Sequence, residues 1–299
     1  MLIRGIRGKK NMKTIKIVGV PEHFNLPWQL CIENGEFKAE NIDLQWTNIP
    51  EGTGKMCQLL RDGETDIAVI LTEGIVKDIV GGNPSSIVQV YVESPLIWGI
   101  HVAAKSKYNT LTDLKGTTAA ISRLGSGSQL MAYVNADNQS RLHSGWKTDD
   151  LQFEIVNTID GAVEALTNGT ADYFMWERFM TKPLVDQGIF RRIGDCPTPW
   201  PCFVIAVRTE VLEKQADVIS KILSIINQTT VDFKNIPSID TTLALKYHQK
   251  IEDIQEWLSL THWSQNQLKA EMLNKIQNQL IQLKIIDKKG TFEDLVETV

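Results

Sequence analysis

Short apolar runs alternate with stretches of helical spacing through the first part of the chain. Three of these runs have the length of a strand and end at polar or glycine-containing turns, at 15–20, 42–47 and 66–71. Between them, residues 28–34 and Thr53–Arg61 place apolar side chains at helical intervals. Strands that alternate with helices over such short spacings favour βα units and a mostly parallel sheet.

A second copy of one such unit lies farther along the chain. The segment QLLRDGETDIAVI (58–70) aligns without gaps with EALTNGTADYFMW (164–176), so that Gly63 matches Gly169 and Asp66 matches Asp172. In both segments a helix ends at a glycine turn, and an aspartate then opens an apolar strand. The repeat predicts two similar α/β lobes.

The last part of the chain loses the strand pattern and becomes helical. Apolar residues recur at helical intervals over 218–233, 241–248 and 265–283. Asn and Gln fill the polar face of the last of these segments, which predicts an exposed helix that caps one lobe.

The composition limits the classes of protein that the chain can belong to. Its 299 residues, 42% of them hydrophobic, are enough for two domains with apolar cores. A net charge of −5 gives no basic surface for a phosphate backbone, so we predict no nucleic-acid partner. No window approaches the ~20 apolar residues of a spanning helix, so we expect no transmembrane segment.

The N-terminus has a basic start but lacks the apolar stretch of a signal peptide. We therefore interpret residues 1–11 as an N-terminal extension and expect a cytoplasmic protein as the sequence is written. A periplasmic or cell-surface location is the alternative if the true N-terminus is missing.

The cysteines and the usual catalytic motifs predict neither a metal site nor a cofactor. Cys31, Cys57, Cys196 and Cys202 form no Cys-x-x-Cys, and no histidine lies at metal-ligand spacing from them. We expect four reduced thiols, with a bridge between Cys196 and Cys202 as the alternative under oxidising conditions. Because phosphate-loop, nucleophile-elbow and zinc-protease motifs are absent, no catalytic residue is assigned.

Two glycine- and hydroxyl-rich loops follow predicted strands and open predicted helices. Ligands of open parallel sheets bind outside the carboxyl ends of the strands, and free amides at a helix start favour a carboxylate, sulfonate or phosphate. These loops predict ligand contacts from Gly52, Thr53, Gly54, Ser122, Gly125, Ser126 and Gly127. The alternative is that Thr53 and Ser126 only cap their helices.

Three further residues are candidates for the same cleft. His23 follows the first strand and can hydrogen-bond a ligand, although a histidine with no catalytic partner nearby is more often polar lining than a base. Trp176 and Glu177 end a strand, where the ring would face a cleft and the carboxylate would accept from a ligand. The alternative is that Trp176 packs at a hinge and that Glu177 pairs with Arg178 or Arg123.

Four stretches carry a resemblance to a known family: PWQLCIENGEFKAENIDLQW (27–46), EGTGKMCQLLRDGETDIAV (51–69), LTDLKGTTAAISRLGSGSQL (111–130) and ADYFMWERFMTKPLVDQG (171–188). In this order they resemble the substrate-binding proteins of the nitrate, sulfonate and thiamine-pyrimidine ABC importers. The resemblance covers most of residues 13–210. It implies the α/β, two-lobed type II periplasmic-binding-protein fold, with two mostly parallel lobes, two hinge crossings and a helical C-terminal segment.

The resemblance also implies domain boundaries and a ligand shell. The first lobe would be discontinuous, 12–100 plus 205–299, and the second would be 101–204, with crossings near His101 and Phe203. Trp98 and Trp200 flank these crossings, where hinge packing and ligand stacking are both open. The implied shell adds Asn25, Trp28, Thr72 and Glu73 to the candidates above.

The function that follows is a solute-binding protein. It would hold a small, anionic or heteroaromatic metabolite in the cleft by hinge closure, with an ABC permease as partner if the protein is exported. The alternative is a cytosolic enzyme on the same fold, of the thiamine-pyrimidine or menaquinone-pathway type. The fungal enzymes that make the thiamine pyrimidine carry a His after the strand that matches 66–71 and a dense cysteine run, and this chain has Thr72-Glu73-Gly74 and only two cysteines there.

Overall fold

Two five-stranded sheets organise the part of the chain that the structure describes, residues 12–142 and 150–299 of a computed structural model. The first sheet contains β1 (Lys13–Gly19), β2 (Ile42–Asn48), β3 (Ile67–Leu71), β4 (Ser85–Val92) and β10 (Phe203–Arg208), in the order β2-β1-β3-β10-β4. The second contains β5 (Ile97–Ala103), β6 (Thr118–Ile121), β7 (Gln152–Ile155), β8 (Tyr173–Glu177) and β9 (Phe190–Pro197), in the order β7-β6-β8-β5-β9.

Each sheet is mixed, because the strand next to the crossing runs against its neighbours. β10 pairs antiparallel with β3 and β4, and β5 pairs antiparallel with β8 and β9. The other pairings are parallel. The strands thus run mostly in one direction in each lobe, and the α/β class predicted from the alternation of elements is confirmed.

Helices cover both sheets. Those of the first lobe are α1 (Leu26–Glu33), α2 (Glu36–Ala39), α3 (Thr53–Arg61), α4 (Thr72–Val80), α8 (Thr209–Asp232), α9 (Ile239–Tyr247), α10 (Ile251–Leu260), α11 (Ala270–Gln282) and α12 (Phe292–Leu295). Those of the second lobe are α5 (Gly127–Leu142), α6 (Ile159–Asn168) and α7 (Lys182–Asp186). The sequence pattern placed α3 at its observed bounds, and α10 is an addition to the predicted helices.

The repeat in the sequence is a repeat of structure. β3 and β8 occupy the same position in their sheets, and each follows a turn with a left-handed glycine, at Gly63 (φ +70°) and Gly169 (φ +76°). Asp66 Oδ2 accepts from the backbone amide of Lys16 in β1 at 2.9 Å. Asp172 Oδ2 accepts from the amide of Thr118 in β6 at 2.8 Å. Each aspartate therefore hydrogen-bonds the strand beside its own in the sheet, which explains why both segments contain one.

Two neighbouring segments, 93–96 and 198–202, connect the lobes. They are joined by reciprocal bonds between Leu96 and Thr198: the Leu96 amide donates to Thr198 Oγ1 at 3.0 Å, and the Thr198 amide donates to the Leu96 carbonyl at 3.0 Å. The crossings expected near His101 and Phe203 lie close to these segments, with His101 inside β5 and Phe203 at the start of β10. The expected extension, residues 1–11, lies outside the described residues.

The C-terminal helix α11 is more than the exposed cap that its Asn and Gln content predicts. Gln277 is buried and exchanges hydrogen bonds with the backbone of Gly290. Gln279 and Gln282 donate to the carboxylate of Asp137 on α5, at 3.3 and 2.8 Å. Polar residues on this helix therefore join it to the second lobe.

The four cysteines are buried, unpaired thiols, so Cys196 and Cys202 form no bridge in this structure. Burial raises the pKa of the Cys196 thiol to about 12. Within 12–142 and 150–299, no group of three or more His, Cys, Asp or Glu side chains is arranged to hold a metal ion. No helix in these ranges has the length and apolarity to cross a membrane.

Candidate functional site: the cleft between the lobes

The start of helix α3 in the first lobe faces the start of helix α5 in the second. Thr53 opens α3 after Gly52, and Gly127 opens α5 after Ser126. All four residues line one cavity of about 60 Å³, which we call the inner cavity. Gly52 has φ +76°, a conformation that favours glycine. The first amides of a helix have no intrahelical partner, so both helix starts offer donors near this cavity.

The walls of the inner cavity come from both lobes. The first lobe and the crossing provide Val20, Glu22, Glu51, Gly52, Thr53, Leu71, Leu96 and Phe203, and the second lobe provides Trp98, Ser122, Arg123, Ser126, Gly127, Ser128, Trp176 and Glu177. The rings of Trp98 and Trp176 meet edge to face, with centroids 6.2 Å apart. The cavity therefore combines aromatic surface with hydroxyl, carboxyl and guanidinium groups, the kinds of side chain that line small-molecule sites, while its own volume is below the roughly 300–1,000 Å³ of such sites.

Three glutamates lie in this wall, and two of them, Glu22 and Glu177, are less exposed than Glu51. Glu177 is 4% exposed, and its Oε2 accepts from the Met180 amide at 2.7 Å. Burial raises the pKa of Glu177 well above its ordinary value, and the nearby charge of Glu22 raises it further. Burial also raises the pKa of Glu22, to about 7. The two groups therefore disfavour each other's ionisation.

A third buried carboxyl group, Glu73, lies on a second cavity. Glu73 Oε2 accepts from Trp200 Nε1 at 2.8 Å, and Oε1 has no hydrogen-bond partner among the described residues. Burial raises the pKa of Glu73 to about 7. Its neighbour Thr72 is buried and donates through Oγ1 to the Pro201 carbonyl at 2.6 Å. Thr72 thus fastens the end of β3 to the crossing segment and does not line either cavity.

The second cavity, which we call the outer cavity, has a volume of about 490 Å³. It shares Thr53, Leu71, Ser126 and Gly127 with the inner cavity. Its remaining walls are Gly54, Cys57, Glu73, Gly74, Lys77, Asp78, Gly125, Gln129, Leu130, Tyr133, Leu151, Leu280, Gln282, Leu283, Lys284 and Ile285. The two cavities thus meet at the facing starts of α3 and α5.

Hydroxyl groups of the second glycine-rich loop bond one another. Ser128 Oγ accepts from the Ser122 amide at 3.0 Å and lies 3.0 Å from Ser126 Oγ. Ser126 Oγ also accepts from the Gln129 amide at 3.4 Å, so this residue caps α5 while lining both cavities. Thr53 makes no side-chain cap, because it is the first residue of α3 rather than the residue before it.

Arg123 connects the two lobes across the cleft. Its Nη1 donates across the lobes to the Glu51 carbonyl at 2.8 Å. A Cβ at Gly54 would lie 2.7 Å from Arg123 Nη2, so the guanidinium lies against the backbone of α3 and would have to move to admit a side chain there. Both residues, with Trp176, also line a wide recess of about 760 Å³ on the outside of this contact.

Four predicted ligand residues lie in the core instead of the cavity walls: His23, Asn25, Trp28 and Thr72. The His23 ring is fully buried and stacks on Trp257 with centroids 4.2 Å apart. Burial lowers the pKa of His23 to about 3, so the imidazole is neutral. Asn25 donates to the Val20 carbonyl at 2.9 Å, and Trp28 packs among aromatic rings of the first lobe.

The other ten predicted residues lie around the cavities: Gly52, Thr53, Gly54, Glu73, Ser122, Gly125, Ser126, Gly127, Trp176 and Glu177. Sequence reasoning missed Glu22 and Arg123 as wall residues, and it left Trp98 open between hinge packing and ligand stacking. Glu22 and Arg123 stand beside predicted site residues in the strand-end loops, which is a signal that was present. No such signal indicates that residues of α11 line the outer cavity, because their position depends on packing between distant parts of the chain.

Comparison with known proteins supports the two-lobed fold. Residues 98–196, most of the second lobe, match the family model described as Ca3427-like PBP. No match was found among curated proteins. The structure resembles the Candida albicans CA3427 gene product, which has the generic periplasmic-binding-protein fold, with a TM-score of 0.86, 24% identity and 96% of each chain covered.

Bacterial sulfonate-binding proteins share the same fold. The alkanesulfonate-binding protein SsuA of Xanthomonas axonopodis pv. citri, solved with bound MOPS, has a TM-score of 0.78 and 15% identity over 96% of this chain and 98% of that one. The periplasmic aliphatic sulphonate-binding protein SsuA of Escherichia coli has a TM-score of 0.72 and 17% identity over 96% and 92%. The chain therefore has the type II periplasmic-binding-protein fold, and its second lobe matches the Ca3427-like group of that fold.

Proposed function

We propose that this protein is a solute-binding protein that holds a small metabolite between its two lobes. The observation that carries the proposal is the inner cavity, whose wall is divided between the lobes and joins the starts of α3 and α5. A ligand there would touch both lobes at once, so its binding free energy would favour the closed arrangement.

Bonds across the cleft agree with such a closed arrangement. Besides the Arg123 contact, Arg178 pairs with Glu256 of α10, and Lys250 pairs with Asp186 of α7 at 2.8 Å. Glu256 and Lys250 are substantially exposed, so solvent screens each pair and both are weak. Contacts of this strength can form and break, which hinge closure around a ligand requires.

The aromatic walls favour a flat ring in the cleft. Trp98, Trp176 and Phe203 offer ring faces or edges to the inner cavity. Hydroxyls and helix-start amides line the same cavity and favour an acceptor or an anionic group. A heteroaromatic metabolite with polar substituents fits this arrangement.

Ligand-induced stabilisation tests the proposal. Purified protein is heated with panels of pyrimidines, sulfonates and dicarboxylates, and at least one compound should raise the melting temperature. Thr53→Val and Ser126→Ala should each weaken binding of an anionic hit by about 1–2 kcal/mol, roughly five- to thirtyfold. Thr167→Val on α6 and Ser140→Ala on α5 remove the same groups away from the cavities and serve as matched controls. Equal effects of all four substitutions would argue against the cleft as the binding site.

The enzyme alternative loses the histidine that it would use as a base. His23, its candidate base, is enclosed by Phe24, Tyr247 and Trp257 and does not reach either cavity. The expected cytoplasmic location and the permease partner rest on the sequence and stay predictions.

A further inference from the structure

The wall of the inner cavity contains a buried hydrogen-bond donor without a partner. Trp98 lines this cavity and is 4% exposed, and its Nε1–H bonds no other described residue. Buried indole N–H groups usually find a partner, so this donor marks a place that an acceptor atom of a ligand would fill. The hydroxyls of Thr53 and Ser126 lie in the same wall and can donate to the same group.

The charges around the inner cavity favour an acceptor that carries no charge of its own. Glu22, Glu51 and Glu177 line the cavity. Among the described residues of this wall the only basic one is Arg123, and its guanidinium already donates to the Glu51 carbonyl. An anionic group would face three glutamates there, whereas a carbonyl oxygen or a ring nitrogen accepts a hydrogen bond without adding charge.

A cation without a direct partner lies in the outer cavity. Lys77 of α4 lines that cavity and is partly buried, and its ammonium group makes no hydrogen bond or ion pair with another described residue. The adjacent Asp78 is bound to Arg61 and to Asn83 instead. The Lys77 ammonium is therefore available to pair with an anionic group of a ligand.

Trp98 and Lys77 approach the same loop of the second lobe. A Cβ at Gly127 would lie 3.0 Å from Trp98 Cη2, and a Cβ at Gly125 would lie 2.9 Å from Lys77 Nζ. These glycines are two residues apart, so their Cα atoms lie within about 7 Å of each other. The indole and the ammonium are thus within reach of one small ligand that lies along this loop.

The outer cavity has the volume and the apolar surface that a ring requires. Its volume of about 490 Å³ is in the usual range of small-molecule sites. Apolar side chains from both lobes and from the C-terminal segment line it: Leu71, Leu130, Leu151, Leu280, Leu283 and Ile285.

We propose that the ligand is a heteroaromatic acid, which places an uncharged acceptor against Trp98 in the inner cavity and its anionic group against Lys77 in the outer cavity. This inference rests on the proposed function and narrows its ligand class. It assigns the recognition of the negative charge to an ammonium group of α4, away from the three glutamates of the inner wall.

Three ring compounds separate the two contacts. Nicotinate carries a ring nitrogen that accepts and a carboxylate, benzoate lacks the ring nitrogen, and nicotinamide lacks the charge. Calorimetric titration near neutral pH should show nicotinate binding about tenfold more tightly than nicotinamide and about fivefold more tightly than benzoate.

Two substitutions assign the contacts to their side chains. Lys77→Met removes the charge and keeps most of the stem, so it should weaken nicotinate binding about tenfold or more and nicotinamide binding far less. Trp98→Phe removes the N–H and keeps a ring, so it should weaken nicotinate binding about fivefold and benzoate binding far less. Lys38→Met, at an exposed position on α2, is the matched control for Lys77→Met and should leave all three affinities unchanged.

The proposal is overturned if the three compounds bind equally well or if none of them binds. Equal nicotinate affinities of Lys77→Met and Lys38→Met would also overturn it. If Trp98→Phe folds poorly, the comparison of nicotinate with benzoate on the wild-type protein tests the same contact. In each of these cases the solute-binding function still stands, and it falls only if the stabilisation panel above yields no ligand.

Discussion

Replacing Glu73 with glutamine should change how the stability of the protein depends on pH. Glu73 is 1% exposed, and Trp200 Nε1 donates to one of its oxygens while the other has no partner in the described ranges. Glutamine has nearly the same shape and keeps an oxygen that can accept from Trp200. The substitution therefore removes the ionisable group and leaves the shape of the side chain and the Trp200 hydrogen bond nearly unchanged.

The magnitude follows from the pKa of the buried carboxyl. Burial raises it from 4.5 to about 7, so ionised Glu73 lowers the free energy of unfolding by about 3 kcal/mol relative to the protonated form. Because the folded-state pKa is higher than the unfolded-state pKa, the contribution of protonated Glu73 to the free energy of unfolding is fully present below pH 4.5. That contribution is lost as the pH rises through about 7. Roughly 2–3 kcal/mol of the loss falls between about pH 5 and pH 8.

Urea denaturation at these two pH values measures the effect. The stability of Glu73→Gln minus that of wild type should increase by about 2–3 kcal/mol from about pH 5 to pH 8. Taking this difference cancels the other groups that titrate in the same range. Glu164→Gln should show no such increase, because that carboxyl is exposed on α6. A difference that is the same at both pH values would refute the claim that Glu73 lies in a desolvating site.

Two further substitutions test the placement of other groups. His23→Phe should raise the free energy of unfolding by about 1–3 kcal/mol, because both His23 nitrogens lack partners and a phenyl ring keeps the stacking on Trp257. Ligand binding should stay intact, and chemical denaturation and ligand titration measure the two effects. A loss of stability would contradict the unpartnered state of the two nitrogens. Asp137→Ala should remove the acceptor that Gln279 and Gln282 share across the lobes. The ligand-free variant should therefore show a larger radius of gyration than wild type by small-angle scattering. An unchanged radius would show that this contact does not hold the lobes together.

The sequence pattern predicted the α/β class and the repeat, and the family resemblance added the two-lobed fold; ten of the fourteen predicted shell residues lie at the cavities. Local rules placed the strand ends and the helix starts, because glycine turns and apolar periodicity act within a few residues. The match between Asp66 and Asp172 revealed the repeat, and the structure shows why: both carboxylates bind the amide of a neighbouring strand.

The errors at the site have a common physical cause. His23 and Trp28 follow a strand end, but α10 and the core of the first lobe cover them, and no local pattern reports packing against a distant helix. The sequence likewise did not show which charged side chains meet in the cleft. Glu22 and Glu177 are far apart in sequence, and only the fold brings both residues into one wall.

The central claim is that a ligand binds in the inner cavity, and blocking that cavity tests it most directly. A Cβ at Gly127 would lie 3.0 Å from Trp98 Cη2 and 3.5 Å from Leu71 Cδ1, so the branched side chain of Gly127→Val would fill the space where both lobes meet. The native mass spectrum of wild-type protein, loaded with the best compound of the stabilisation panel, should show a one-to-one complex, and the folded Gly127→Val variant should show none. Complexes of equal abundance on both proteins would contradict the account, because the ligand would then bind outside the cleft.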